Sequence, residues 1–228
     1  ADDTWLFKAL IKGLARQYGF AATFMAKPFA DDAGNGMHLH FSMLDEAGRN
    51  VFDNGGDEGS DILRSAVAGC LSAMPDSTLI FAPHAGSYAR LVPGAHAPTG
   101  ASWAYENRTA SIRIPGGDPL ARRIEHRVAG GDINPYLIFA CILGAALMGI
   151  EDKMTPPAPI SGNAYDHDLP QLATDWEAAI DRFEASPLMP RILPQALIDN
   201  LVMTKRQELR LLATRPEDSH WQVYLETV

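Results

Sequence analysis

Apolar residues recur at helical spacing over residues 3–18, where Leu6, Leu10 and Leu14 lie beside Phe7, Ile11 and Tyr18. Asp3 and Gly19 bracket this helix as cap and stop. Residues 21–29 read as a strand that Pro28 ends or confines to an edge. After a turn containing Gly34 and Gly36, residues 37–44 alternate strictly: Met37, Leu39, Phe41 and Met43 point one way, His38, His40 and Ser42 the other. Residues 60–74 predict a helix capped by Ser60, with Ile62, Leu63, Ala66, Val67, Cys70, Leu71 and Met74 on its buried side.

Residues 79–98 are irregular and rich in Pro and Gly, with His84, Arg90 and His96 as candidate functional groups on loops. Two short strands follow. In the first, Ala110, Ile112 and Ile114 face the core, and Ser111 and Arg113 face away; in the second, Arg123, Glu125 and Arg127 share the face opposite Ile124 and Val128. Arg108 falls on the wrong parity for Arg113, so a bulge or strand end must intervene if both reach one ligand. From Ile133 onward the pattern is helical. One helix starts at Asn134–Pro135 and runs to about Met148, one is capped by Thr174 with Glu177 and runs to Ala185, one spans Pro194 to Ala213, and a short last one spans Pro216 to Glu226. The division is strand-rich over 1–132 and helical over 133–228, and the predicted class is α+β.

Charge changes the picture at one place. The 228-residue chain has a formal net charge of -9, yet residues 105–127 hold Arg108, Arg113, Arg122, Arg123 and Arg127. Guanidinium groups match phosphate and carboxylate oxygens two at a time, so this clustering points to one anion site. A sheet face laced with salt bridges to Glu106, Asp118 and Glu125 has the same pattern, and both readings stand at this point. The acidic balance argues against nucleic acid as the main partner. Cys70 and Cys141 sit in apolar helical patterns and read as reduced thiols of a cytoplasmic protein. The longest apolar run, residues 137–150, is too short to span a bilayer, and no signal peptide is read.

Four motifs then converge. GNGMHLHFS, SYARLVPGAHAP, NRTASIRIP and ARRIEHR, in that order, resemble the catalytic domain of the glutamine synthetase family, and the resemblance continues through NPYL and NAYD. The residues around them look most like the branch that ligates glutamate to amines, the gamma-glutamylpolyamine or gamma-glutamylputrescine synthetases. The resemblance implies a curved antiparallel sheet packed with helices, and a ligase that phosphorylates the side-chain carboxylate of glutamate with ATP before an amine displaces phosphate. It places His38 and Glu125 as ligands of Mg²⁺ or Mn²⁺, and His40, Ser42, Arg113 and Arg123 at the nucleotide. Arg108 is placed nearest the transferring phosphoryl group, Gly34, Arg90 and Arg127 at glutamate, and Arg122 and His126 are left structural.

His96 stands where glutamine synthetases proper carry Glu. Imidazole, with an ordinary pKa of about 6.5, is a poor anionic site for ammonium and a reasonable base for a bulkier amine. Gly86, Ala89 and Ala33 also depart from the family pattern, and Tyr165 lies where some bacterial relatives carry a regulatory tyrosine. Members of the family form homo-oligomeric rings. The family's N-terminal β-grasp domain and the strands bearing the remaining metal-binding glutamates have no counterpart in these residues, which implies that the chain supplies half of a catalytic centre. Four alternatives are a glutamine synthetase proper using ammonia, a truncated domain that only binds nucleotide or only assembles with others, a guanidino-substrate kinase, whose motifs are not matched, and a metal-dependent hydrolase built on His-x-His. The last lacks the further His or Asp ligands such a site needs.

Overall fold

The computed structural model describes residues 1–228. Four short strands form one sheet in the order β1–β4–β3–β2: β1 (Leu39–Phe41), β2 (Trp103–Tyr105), β3 (Ile112–Ile114) and β4 (Ile124–His126). The α+β expectation holds, but β2 pairs parallel with β3, so the sheet is mixed rather than antiparallel throughout. β2 was not visible in the sequence pattern. Its Trp103 and Ala104 are both buried, which leaves no alternation to read. The strand expected over residues 21–29 does not form, and that segment runs without regular structure along the side of the sheet.

The helices follow their patterns closely. The first, α1 (Asp2–Gln17), starts one residue earlier than expected, with Ala1 as cap. Its apolar stripe is not covered: Trp5, Leu6, Phe7, Leu10 and Leu14 are exposed, and Lys8 anchors the helix by donating to the carbonyls of Gly131 and Ile133 at 2.8 and 3.2 Å. α2 (Asp61–Ala73) has the predicted cap, Ser60 Oγ accepting from the Leu63 N–H, although Ile62 is turned to solvent. α4 (Pro135–Glu151) begins on Asn134, whose side chain accepts from the N–H groups of Tyr136 and Leu137.

A short α3 (Thr78–Phe81) precedes β2. After α4 come α5 (Trp176–Ala185), α6 (Met189–Ile192), α7 (Gln195–Leu212) and α8 (His220–Tyr224). The cap of α5 is Asp175, which accepts from the Ala178 N–H, rather than Thr174.

The core is one continuous apolar cluster that joins the inner face of the sheet to α2, α4 and the C-terminal helices. The two helices meet at glycines: a Cβ on Gly69 would fall 2.1 Å from the Ala145 carbonyl oxygen and 2.7 Å from the Gly149 backbone. Any side chain there would drive the helices apart. Both cysteines are free and buried in this layer, and burial pushes the Cys70 thiol well up and the Cys141 thiol to about 11. Such thiols are unreactive at neutral pH. No helix is long and apolar enough to cross a membrane.

Candidate functional site

Sheet register builds the site. His40, Glu125 and Arg113 are Cα partners across β1, β4 and β3, so all three side chains stand on one face. The alternate row of Leu39, His126 and Ile112 faces the core, and each of these residues is no more than 5% exposed. His126 is therefore structural as expected: its ring packs 4.8 Å from Phe81 and burial holds its pKa down at about 3. Beyond the Leu39–His126 pair the antiparallel register brings His38 and Arg127 together at the same end of the row, with Arg127 Nη1 3.5 Å from His38 Nδ1.

Glu125 is the hub. Its side chain is 3% exposed, its Oε2 accepts from Arg113 Nη1 at 2.7 Å and its Oε1 from Arg127 Nη1 at 2.7 Å. His38 Nδ1 lies 3.0 Å and His40 Nε2 3.7 Å from the same Oε1. Burial works to raise the carboxyl pKa, but the charges of Arg127 and Arg113 outweigh it and hold the group ionised below its ordinary value. The His38 imidazole is pushed down, first by burial and then by Arg127, with Glu125 opposing, so it is neutral at pH 7. Arg123 Nε donates to His40 Nδ1 at 3.2 Å, which brings a third residue of the predicted nucleotide set, after His40 and Arg113, to the cluster.

A neutral imidazole and an ionised carboxylate fit a divalent cation. His38 Nδ1 and Glu125 Oε1 lie 3.0 Å apart, within hydrogen-bond distance. The pair is a partial shell. No group of three or more His, Cys, Asp or Glu side chains converges in a way that could hold a metal ion by itself.

The glutamate-side residues form a second, adjoining group. Arg90 ends a 3₁₀ turn (Ala85–Arg90), is 5% exposed and donates through Nη1 to the Val128 carbonyl at 2.7 Å. Gly34 and Gly36 make room for it: a Cβ on Gly36 would lie 2.5 Å from Arg90 Nη2, and one on Gly34 3.4 Å from Arg90 Cγ and 2.8 Å from the Ala26 carbonyl oxygen. Arg127 Nη2 donates to the Arg108 carbonyl at 2.8 Å, which ties the loop before β3 to the Glu125 cluster.

Three predicted residues are not drawn in. Arg108 approaches through its backbone only, with its side chain exposed on the loop before β3. Ser42 is exposed and outside the hydrogen-bonded cluster. His96 is exposed on the loop after Arg90 with a left-handed φ of 58°, a conformation that costs a non-glycine residue about 1 kcal/mol. Gly86, one of the departures, faces open space. Arg122 is structural, its guanidinium donating to the carbonyls of Asp57 and Gly56 at 2.6 and 2.8 Å.

The salt-bridge reading of the arginine stretch holds for Arg113 and Arg127 on Glu125. Sequence reasoning missed Asp132, which is 6% exposed and accepts from Ser87 Oγ, tying down the 3₁₀ turn that ends in Arg90. It also placed Ser111 outward, whereas Ser111 is fully buried. Its Oγ donates to the Ser102 carbonyl at 2.7 Å and accepts from the Ser102 N–H at 2.8 Å. Only the knowledge that β2 lies beside β3 could have revealed that pair.

Residues 1–224 match the family described as glutamine synthetase, catalytic domain. Gamma-glutamylputrescine synthetase PuuA of Escherichia coli (strain K12) is 41% identical over 167 residues, covering 73% of this chain and 35% of the relative. Gamma-glutamylethanolamide synthetase GlnA4 of Streptomyces coelicolor is 41% identical over 187 residues, covering 82% and 40%. A glutamine synthetase of Methanocaldococcus jannaschii is 37% identical over 237 residues, covering 98% and 52%. The chain thus spans about half or less of the length of the curated relatives it matches. Among solved structures, the GmaS/ADP complex superposes with a TM-score of 0.84 at 32% identity, covering 96% of this chain and 52% of that one. The chain belongs to the glutamine synthetase catalytic-domain family.

Proposed function

We propose that the chain is the nucleotide- and glutamate-binding half of an ATP-dependent ligase that joins the γ-carboxylate of glutamate to an organic amine. The observation that carries this reading is the row His38–His40–Glu125–Arg113–Arg127, one ionised carboxylate whose Oε1 meets both imidazoles and Arg127 and whose Oε2 accepts from Arg113. Phosphoryl transfer needs little covalent help from the protein and much positioning and charge neutralisation, which this set provides. The printed names of relatives, a putrescine, an ethanolamide and an isopropylamine enzyme among them, support an amine as the third substrate.

In this reading His38 and Glu125 hold Mg²⁺ or Mn²⁺, which supplies neutralisation of the nucleotide's phosphate charge. Arg113 and Arg123, with His40 and Ser42 beside them, bind ATP, and Arg108 lies nearest the group in transfer. Arg90 and Arg127 hold the carboxylates of glutamate, with the Gly34 backbone at its amino end. The γ-carboxylate oxygen attacks the terminal phosphorus of ATP and ADP leaves. The amine nitrogen then attacks the acyl carbon, phosphate leaves, and the surplus N–H proton passes to His96. Ammonia as the third substrate is the second reading, which the relatives named glutamine synthetase support. Further ligands of the metal, and the homo-oligomer typical of the family, belong to the complete ligase.

The test is mass spectrometry of the product formed by the complete polypeptide from ATP, glutamate and putrescine. A γ-glutamyl amide of putrescine is expected; glutamine alone, formed from traces of ammonia, would overturn the amine assignment.

A further inference from the structure

The loop of residues 92–98 that carries His96 is weakly held. Its own backbone contributes one hydrogen bond, Ala95 N–H to the Val92 carbonyl at 3.2 Å, and residues 92–94 and 96 are exposed. It receives a single hydrogen bond from a side chain: Tyr165 Oη donates to the carbonyl of Ala97, the residue after His96, at 2.8 Å. Tyr165 sits in a 3₁₀ turn (Ala164–Asp166) capped by Asn163.

The same short segment grips the neighbours of Arg108. Asn107 Nδ2 donates to the Gly162 carbonyl at 2.7 Å, and the Ala164 N–H donates to Thr109 Oγ1 at 2.9 Å. Residues 162–165 therefore join the two loops whose side chains, His96 and Arg108, the sheet does not position. Burial raises the Tyr165 phenol pKa, with the charges of Arg90 and Arg127 opposing it.

We propose that Tyr165 is a positioning residue that fixes the His96 loop against the Arg108 loop and so sets the geometry in which the amine is received. The inference rests on the reading of His96 and Arg108 given above. A hydroxyl held this way is engaged in the folded chain, and its work is done through the Ala97 carbonyl rather than by touching substrate.

The experiment is Tyr165→Phe, which keeps the ring and removes the donor. Hydrogen exchange on the chain itself is the first readout. The amides of Ala95, which is hydrogen-bonded, and Ala97, which is buried, are expected to exchange about three- to tenfold faster, the worth of one net hydrogen bond, while α2 and α4 stay unchanged. Unaltered exchange at these two amides overturns the proposal whatever the activity. On the complete ligase, the KM for the amine is expected to rise about three- to tenfold, with the KM for ATP unchanged within about twofold. A parallel rise in both would show a general structural role and overturn it as well. Absence of any amine-dependent turnover in the unmodified protein would instead defeat the proposed function, and the exchange result would still decide the strap.

Discussion

His40 of β1 and Glu125 of β4 are Cα partners in an antiparallel ladder, and the register leaves His40 Nε2 3.7 Å from Glu125 Oε1. Residues 85 positions apart in the chain thereby meet on a rigid pair of strands rather than on loops. Arg113 completes the row from the next strand.

Glu125→Gln keeps the shape and removes the charge. Arg113 and Arg127 would lose their buried partner and His38 its companion oxygen. Ligase activity of the complete polypeptide is expected to fall about a hundredfold or more. Chemical denaturation is expected to show a loss on the order of 3 kcal/mol, because two guanidinium groups are left uncompensated. Full activity in this variant would remove Glu125 from the centre.

His96→Glu tests the choice of third substrate. A carboxylate at this exposed, left-handed position supplies an anionic site for ammonium that imidazole does not. The ratio of ammonia to amine kcat/KM is expected to rise about tenfold or more. An unchanged ratio would mean that His96 does not select.

The two glycines under Arg90 separate binding from folding. Gly36→Ala meets only the tip of the Arg90 side chain, so Arg90 shifts and the KM for glutamate rises about tenfold with little change in melting temperature. Gly34→Ala meets the Ala26 backbone carbonyl, which cannot swing away, so that variant is expected to lose about 1–3 kcal/mol of stability. Equal effects of the two on stability and KM would contradict the packing described.

Glu208 gives the fold a pH dependence. Burial alone would raise its pKa, but hydrogen bonds from His84, Lys205 and Tyr224 outweigh burial and hold it at about 2. A depressed carboxyl contributes stability that is complete above its unfolded pKa near 4.3 and is lost as pH falls towards 2. The stability difference between the unmodified chain and Glu208→Gln, measured by urea denaturation, is therefore expected to be about 2 kcal/mol at pH 7 and to shrink between pH 4.5 and 2. A difference independent of pH over that range would contradict it.

Much of this architecture was legible because alternation and helical periodicity are local. The polar face of residues 37–44, the Ser60 and Asn134 caps and the grouping of Arg123, Glu125 and Arg127 all follow from spacing alone. What was illegible depends on partners distant in sequence. β2 is buried on both faces, Ser111 is buried because Ser102 reciprocates its hydrogen bonds, and Asp132 gains its role from Ser87. α1 shows the converse, a helix with a clear apolar stripe that nothing in these residues covers. His38, Glu125 and the arginines acquire roles in the reading only through motif resemblance; spacing by itself left an ion-pair network as an equal alternative, and the structure contains that network.

The central claim is that this sheet face serves glutamate–amine ligation. Its most direct test is phosphate release by the complete polypeptide supplied with ATP, glutamate, Mg²⁺ and, in turn, ammonia, ethanolamine, isopropylamine and putrescine. The account predicts release that requires all components and is faster with an organic amine than with ammonia. Faster release with ammonia would contradict the amine assignment, and no glutamate- and amine-dependent release with any of the four would contradict the ligase.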